Sequence, residues 1–222
     1  MPRGPLLIGA FAPFAAVSVV HLAAKLAGLV ELDRLTKGLT IPSLVLGIAI
    51  VLVVGRLRLP LPVLGTLVGG LVLSWLGDIT LSDFAVGLGF FLAAHVLYIV
   101  MFHLAFRRRA SWWSLGLVPW YAGLLLALWP VLGDLAGLVA VYGAVLGLMA
   151  ASATRGNAFT MVGGALFVAS DSLLAFRIFT PLFQTPPEDA LIMALYLGAQ
   201  LFITLGVLRI AVPRGTPQAA PA

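Results

Sequence analysis

Apolar residues in this chain fall in long unbroken runs rather than in the one-sided stripes of a water-soluble helix. Residues 38–55, for example, carry no charge at all. A helix rises about 1.5 Å per residue and a bilayer's hydrocarbon core is about 30 Å thick, so a span needs roughly 17–25 such residues. Eight runs qualify as candidates, approximately residues 6–30, 39–54, 61–77, 84–106, 112–129, 134–153, 159–179 and 189–210. The second and third are short, which points to local thinning or burial among neighbours. The expected fold is therefore all-α: a polytopic eight-helix transmembrane bundle forming one domain over residues 1–212, followed by a short polar disordered tail, residues 213–222.

Composition agrees with lipid as the solvent. Of 222 residues, 62% are apolar and 9% charged, too little polar surface to cover a soluble globule. The net charge of +5 does not point to nucleic acid, because the arginines are spaced between apolar runs rather than gathered among aromatics. Orientation explains them. Every second connection collects Arg3, then Arg56 and Arg58, then Arg107–Arg109, then Arg155, then Arg209 and Arg214, with no acid among them. The alternate connections hold Glu31, Asp33, Arg34 and Lys37, then Asp78 and Asp83, then Asp134, then Glu188 and Asp189. Because Lys and Arg concentrate on the cytoplasmic side, the expectation is N-in, C-in topology in the cell inner (plasma) membrane. The first run, with Arg3 before it, has the outline of a signal peptide. It continues past His21 and Lys25 to Val30, which is long enough to span.

Against that background the polar positions inside the runs stand out. Asp171, flanked by Ser170 and Ser172, sits past the middle of the seventh run, and Asp78 closes the third. A carboxylate in mid-bilayer penalises insertion by roughly 2.5–3.5 kcal/mol and is functional by default. Gly69-Gly70 precedes Asp78, and Gly163-Gly164 precedes Asp171, by about two helical turns in each case. His95 and Tyr98 lie one turn apart near mid-depth, Tyr196 and Gln200 share a face four residues apart, and Tyr142 lies in the outer half of the sixth run. Lys37 opens the second run, and Asp83 either caps the fourth helix or joins the others. These groups all fall between mid-plane and the non-cytoplasmic surface, so one outward-opening pocket holding both aspartates is expected.

Unequal surroundings can keep one carboxyl protonated and the other ionised, a pairing suited to acid-catalysed cleavage through an oxocarbenium-like cation. Other chemistries lack their parts. There is no G-x-S-x-G elbow, H-E-x-x-H, Walker lysine or dinucleotide fingerprint, three scattered histidines make a poor metal site, and without cysteine there is no thiolate ligand. A proton-coupled transporter or lipid-binding membrane protein using the same aspartates is the alternative.

Lys37 with Pro42, Leu76-Gly77-Asp78 with Leu81, Phe90, His95 and Tyr98, Gly164-Ala165-Leu166-Phe167 through Ser170-Asp171-Ser172, and Tyr196 with Gln200 form an ordered series over nearly the whole chain. In that series the chain resembles the YhhN family of lysoplasmalogenases. It departs at Gly38, where the family pattern has proline after the lysine. The resemblance implies an eight-helix membrane enzyme that hydrolyses the vinyl ether bond of a lysophospholipid, releasing a fatty aldehyde and a glycerophospho-base. The family's two catalytic aspartates match Asp78 and Asp171. On this expectation Asp171, as the more deeply buried, protonates the vinyl ether carbon while Asp78 stabilises the cation and orients water. Lys37 meets the phosphate, and Asp83, His95, Tyr98, Tyr142, Ser170, Tyr196 and Gln200 complete the substrate site. No metal or organic cofactor is called for, and the sequence fixes no oligomeric state.

Overall fold

The computed structural model describes residues 4–213. Its helices follow in order: α1 (Gly4–Leu26), α2 (Val30–Val54), α3 (Leu61–Thr80), α4 (Phe84–Ala105), α5 (Leu117–Leu132), α6 (Ala136–Ala153), α7 (Ala158–Phe179) and α8 (Pro186–Leu208). Two-residue strands β1 (Leu57–Arg58) and β2 (Val212–Pro213) pair antiparallel, fastening the chain after α8 to the connection between α2 and α3. Arg3, Arg214 and the remainder of the expected tail lie outside the described residues; Pro213, its first residue, is in β2.

The expected count of eight crossings is not reproduced by length and hydropathy alone. By length and hydropathy seven stretches could cross a membrane, which makes the chain a multi-pass membrane protein of helical architecture. The difference arises at α5 and α6, which short 3-10 turns join into one helical stretch of 42 residues, Trp112–Ala153. That stretch doubles back on itself. Gly133 adopts φ +51°, and the Tyr121 hydroxyl donates to the Ala140 carbonyl at 3.0 Å. A straight helix would hold those two residues about 28 Å apart.

A second correction concerns α2. Glu31, Asp33, Arg34 and Lys37, expected in a connection, form its first two turns. The acids complement the positive end of the helix dipole, and Thr36, Thr40, Ile41 and Leu44 bury one face directly behind them. α3 likewise runs on to Thr80, so Asp78 is held on a helix and not at its frayed edge. The later starts are capped: the Asn157 side chain accepts from the Phe159 and Thr160 amides, and Thr185 and Glu188 close a reciprocal box at α8.

Sequential pairs α1/α2, α3/α4 and α7/α8 pack most extensively; α4 and α7 both meet α6, and α1 closes against α8. Close approach is built with glycine. The Tyr98 ring lies where a Cβ on Gly70 would be, and a Cβ on Gly163 would come within 3.0 Å of the Ala199 carbonyl. Both glycines therefore seat the following helix against the one that carries an aspartate.

Charge is partitioned between the two ends of the bundle. Arg56, Arg58, Arg107–Arg109, Arg155 and Arg209 gather at the end with the α2–α3, α4–α5 and α6–α7 connections, where no acid occurs among the described residues. All eight acids lie in the opposite half. The cations that share it, Lys25, Arg34, Lys37 and Arg177, each lie within 4 Å of one of those acids.

Candidate functional site

Four helices bring five of the expected polar residues to the acidic half. α3 presents Asp78, α7 presents Asp171 and Ser170, α2 presents Lys37, α8 presents Tyr196, and all five line one cavity of about 460 Å³, its open mouth included. Leu81, Phe91, Leu174, Ile192 and Met193 complete the walls, so the carboxylates face a small polar space with apolar sides. Asp78 is 7% exposed, with its Oδ1 3.9 Å from the Lys37 ammonium and its Oδ2 buried without a hydrogen-bond partner. Asp171 accepts a hydrogen bond on Oδ2 from the Tyr142 hydroxyl of α6. Ion pairing on one side and a phenol on the other give the two carboxyl groups different surroundings.

The burial order differs from the expectation. Asp78 is the more deeply buried, whereas Asp171 keeps partial exposure toward the cavity. Phe91 packs against α3 at Gly77 and Tyr196 of α8 lines the cavity with Asp78, while Asp171 also borders a second cavity among α4, α5, α6 and α7.

His95, Tyr98 and Gln200 support the site without lining the polar cavity. The His95 Nδ1 is 2.7 Å from the Phe91 carbonyl; since a carbonyl can only accept, that nitrogen carries the hydrogen and Nε2 is left as a buried acceptor with no partner. Its ring contacts Tyr98, Tyr142 and Phe167 edge-on. Tyr98 donates to the Gln200 Oε1 at 2.7 Å, joining α4 to α8. Tyr196 stands beside Asp78 and Gln200 with its own hydroxyl unpaired. Ser170 donates to the Ile192 carbonyl at 3.0 Å. Ser172 points away, donating to the Val168 carbonyl and accepting from the Trp120 indole of α5 at 3.1 Å. Asp83 is exposed, accepts from the Val86 amide at 3.3 Å as the cap of α4, and is not part of the cavity wall. The departure at Gly38 leaves α2 unbroken, and the Gly38 carbonyl accepts from the Trp75 indole at 2.9 Å.

The mouth holds charged residues that the sequence did not single out as a group. Lys25 of α1 lies 2.7 Å from Asp189 and 3.3 Å from Asp33, and Arg177 lies 3.6 Å from Asp189. Lys25 and Asp189 also line the cavity. The ion pairs Asp33–Lys25–Asp189–Arg177 thus form a charged rim that reaches the cavity at Lys25 and Asp189, while Lys37 and Asp78 pair within it. In a site of low dielectric such pairs hold each other in place and present both signs of charge to an entering molecule. The signal available in sequence was the spacing of Lys25 and Lys37 on either side of the first connection.

A polytopic helical membrane protein with the carboxyl groups of Asp78 and Asp171 in one cavity, bordered by a charged rim, is the class that this geometry defines. Residues 32–207 match the YhhN family, and the chain belongs to that family. Lysoplasmalogenase TMEM86B of Homo sapiens is 32% identical over 161 residues, covering 66% of this chain and 65% of its own length. Lysoplasmalogenase TMEM86B of Sus scrofa is 31% identical over 154 residues, covering 63% and 62%. The matched stretch thus spans a little under two thirds of each relative. No solved structure matches the chain.

Proposed function

We propose that this protein is a membrane hydrolase that cleaves the vinyl ether bond of a lysoplasmalogen-like lysophospholipid, with Asp78 and Asp171 as its acid and base. The observation that carries the reading is the meeting of Asp78, Asp171, Lys37 and Tyr196 at one cavity in a chain of the YhhN family. Its relatives bear the name lysoplasmalogenase.

The chemistry requires two proton transfers and one water. Protonated Asp171 gives its proton to the alkenyl carbon remote from oxygen; the π bond becomes a C–H bond and the positive charge is shared between the other carbon and the ether oxygen. The Asp78 carboxylate stabilises that cation and takes a proton from the water that adds to it, giving a hemiacetal. Asp78 then returns this proton to the glycerol oxygen as its C–O bond breaks, and the hemiacetal hydroxyl passes its proton to Asp171. A fatty aldehyde and a glycerophospho-base leave, and both carboxyl groups return to their starting states. Tyr142 orients Asp171 by donating to one oxygen, which leaves the other free to carry the proton. Lys37 and Lys25 receive the phosphate of the headgroup and Asp189 its ammonium.

The same reading extends to topology. Eight crossings with both ends cytoplasmic follow if the α5–α6 hairpin spans twice, and the segregation of arginine from acid supports this orientation in the inner membrane. The site then opens to the non-cytoplasmic side.

Purified protein given lysoplasmalogen is expected to release aldehyde, and Asp78→Asn and Asp171→Asn each to lose activity by roughly 100- to 10,000-fold. Full turnover in both variants would exclude these residues as acid and base.

A further inference from the structure

A second cavity adjoins the first. It has about 590 Å³ of empty space, its open side included, among α4, α5, α6 and α7, and is walled by Phe84, Leu88, Leu124, Val139, Leu146 and Ile178. The polar groups on its wall are Tyr142 and Asp171, and the Tyr142 hydroxyl is already committed to Asp171. Asp171 and Leu174 belong to both cavities, whereas Asp78, Lys37, Lys25 and Asp189 belong to the polar one alone. Asp171 therefore stands in the partition between an apolar chamber and a charged mouth.

We infer that this chamber seats the single hydrocarbon chain of the substrate and so fixes the direction in which the substrate lies across the two aspartates. The inference rests on the proposed hydrolase reading and adds to it the place of the chain. A small charged solute would leave the chamber empty. A chamber whose walls are apolar apart from Tyr142 and Asp171 suits the hydrocarbon chain of a lipid. A chain that passes from bilayer to chamber exchanges one hydrocarbon surrounding for another, so the hydrophobic effect contributes little to affinity. What the chamber supplies is register, the choice of which bond rests at Asp171. With the chain in the chamber and the headgroup at Lys37, the alkenyl carbon remote from oxygen lies on the Asp171 side. The ether oxygen and the carbon attached to it lie on the Asp78 side. Asp171 is thereby assigned as the carbon acid by the connection of the cavities, although it is the less buried of the pair.

Val139 and Ala175 sit on the chamber wall away from the charged rim. Val139→Trp and Ala175→Phe, each narrowing the chamber, are expected to lower turnover of a hexadecenyl substrate about tenfold or more. Turnover of an octenyl substrate should stay within about twofold of wild type, since the register then needs less of the chamber. An equal loss at both chain lengths, or no loss at either, overturns the proposal. A second measurement does not depend on turnover: a saturated-ether lysophospholipid with a diazirine in its chain is photolysed with wild-type protein in nanodiscs. Adducts on α4, α6 and α7 at chamber residues, competed by the unlabelled lipid, are expected; adducts confined to other faces overturn the proposal. Chamber labelling without aldehyde release from any vinyl ether would defeat the hydrolase reading and leave the chain seat standing.

Discussion

Asp78 and Asp171 persuade because lipid gives them no other use. Each is held by a different device, one by an ammonium 3.9 Å away and one by a buried phenol. Tyr142→Phe keeps the ring and removes the donor. A hydrogen bond to a charged group contributes about 1.5–3 kcal/mol, so turnover should fall roughly 10- to 100-fold with little change in KM. An effect on KM alone would show that Tyr142 contacts substrate rather than Asp171. These residues were legible in the sequence because a polar side chain stands out in an apolar run. Lys25, Arg177, Asp33 and Asp189 were not, because charge near a helix end has an ordinary explanation in dipole and interface effects. The order of burial was misjudged for another reason: depth along a helix does not reveal which neighbouring helix covers a side chain.

At the scale of the helices, the runs of apolar residues located the helical stretches, while the number of crossings, the short strands β1 and β2 and several boundaries did not follow from them. α2 begins among charges that periodicity assigns to a loop, since its buried face of Thr36, Thr40, Ile41 and Leu44 is set by packing. The turn at Gly133, by contrast, falls at the break between the fifth and sixth runs, beside Asp134. The start of α7 is held more firmly than its sequence suggests: Asn157 caps the helix and also donates to the Gly206 carbonyl of α8 at 2.9 Å. Asn157→Ala is expected to cost up to about 2 kcal/mol, the high end for a cap, read as a lowered Tm in detergent. Initial rates below Tm should change little, since Asn157 lies at the end opposite the cavity.

For the whole molecule the clearest prediction concerns sides. The natural sequence contains no cysteine, so single substitutions report without background. Asp134→Cys, at the α5–α6 turn, should react with a membrane-impermeant maleimide on intact cells. Arg108→Cys should react only after the membrane is opened. The reverse pattern would invert the proposed orientation and turn the charged mouth toward the cytoplasm.

The contact between α1 and α8 has a practical consequence. The stretch matched to the family begins at residue 32, after α1 has ended, yet α1 supplies the ammonium that ties Asp33 to Asp189. An expression product trimmed to the matched stretch would retain both aspartates and lack part of the rim around them. Asp33 would then be without its lysine, and Asp189 would depend on Arg177 alone. Supplying residues 1–29 as a separate peptide in the same bilayer offers a way to restore what the trimming removed.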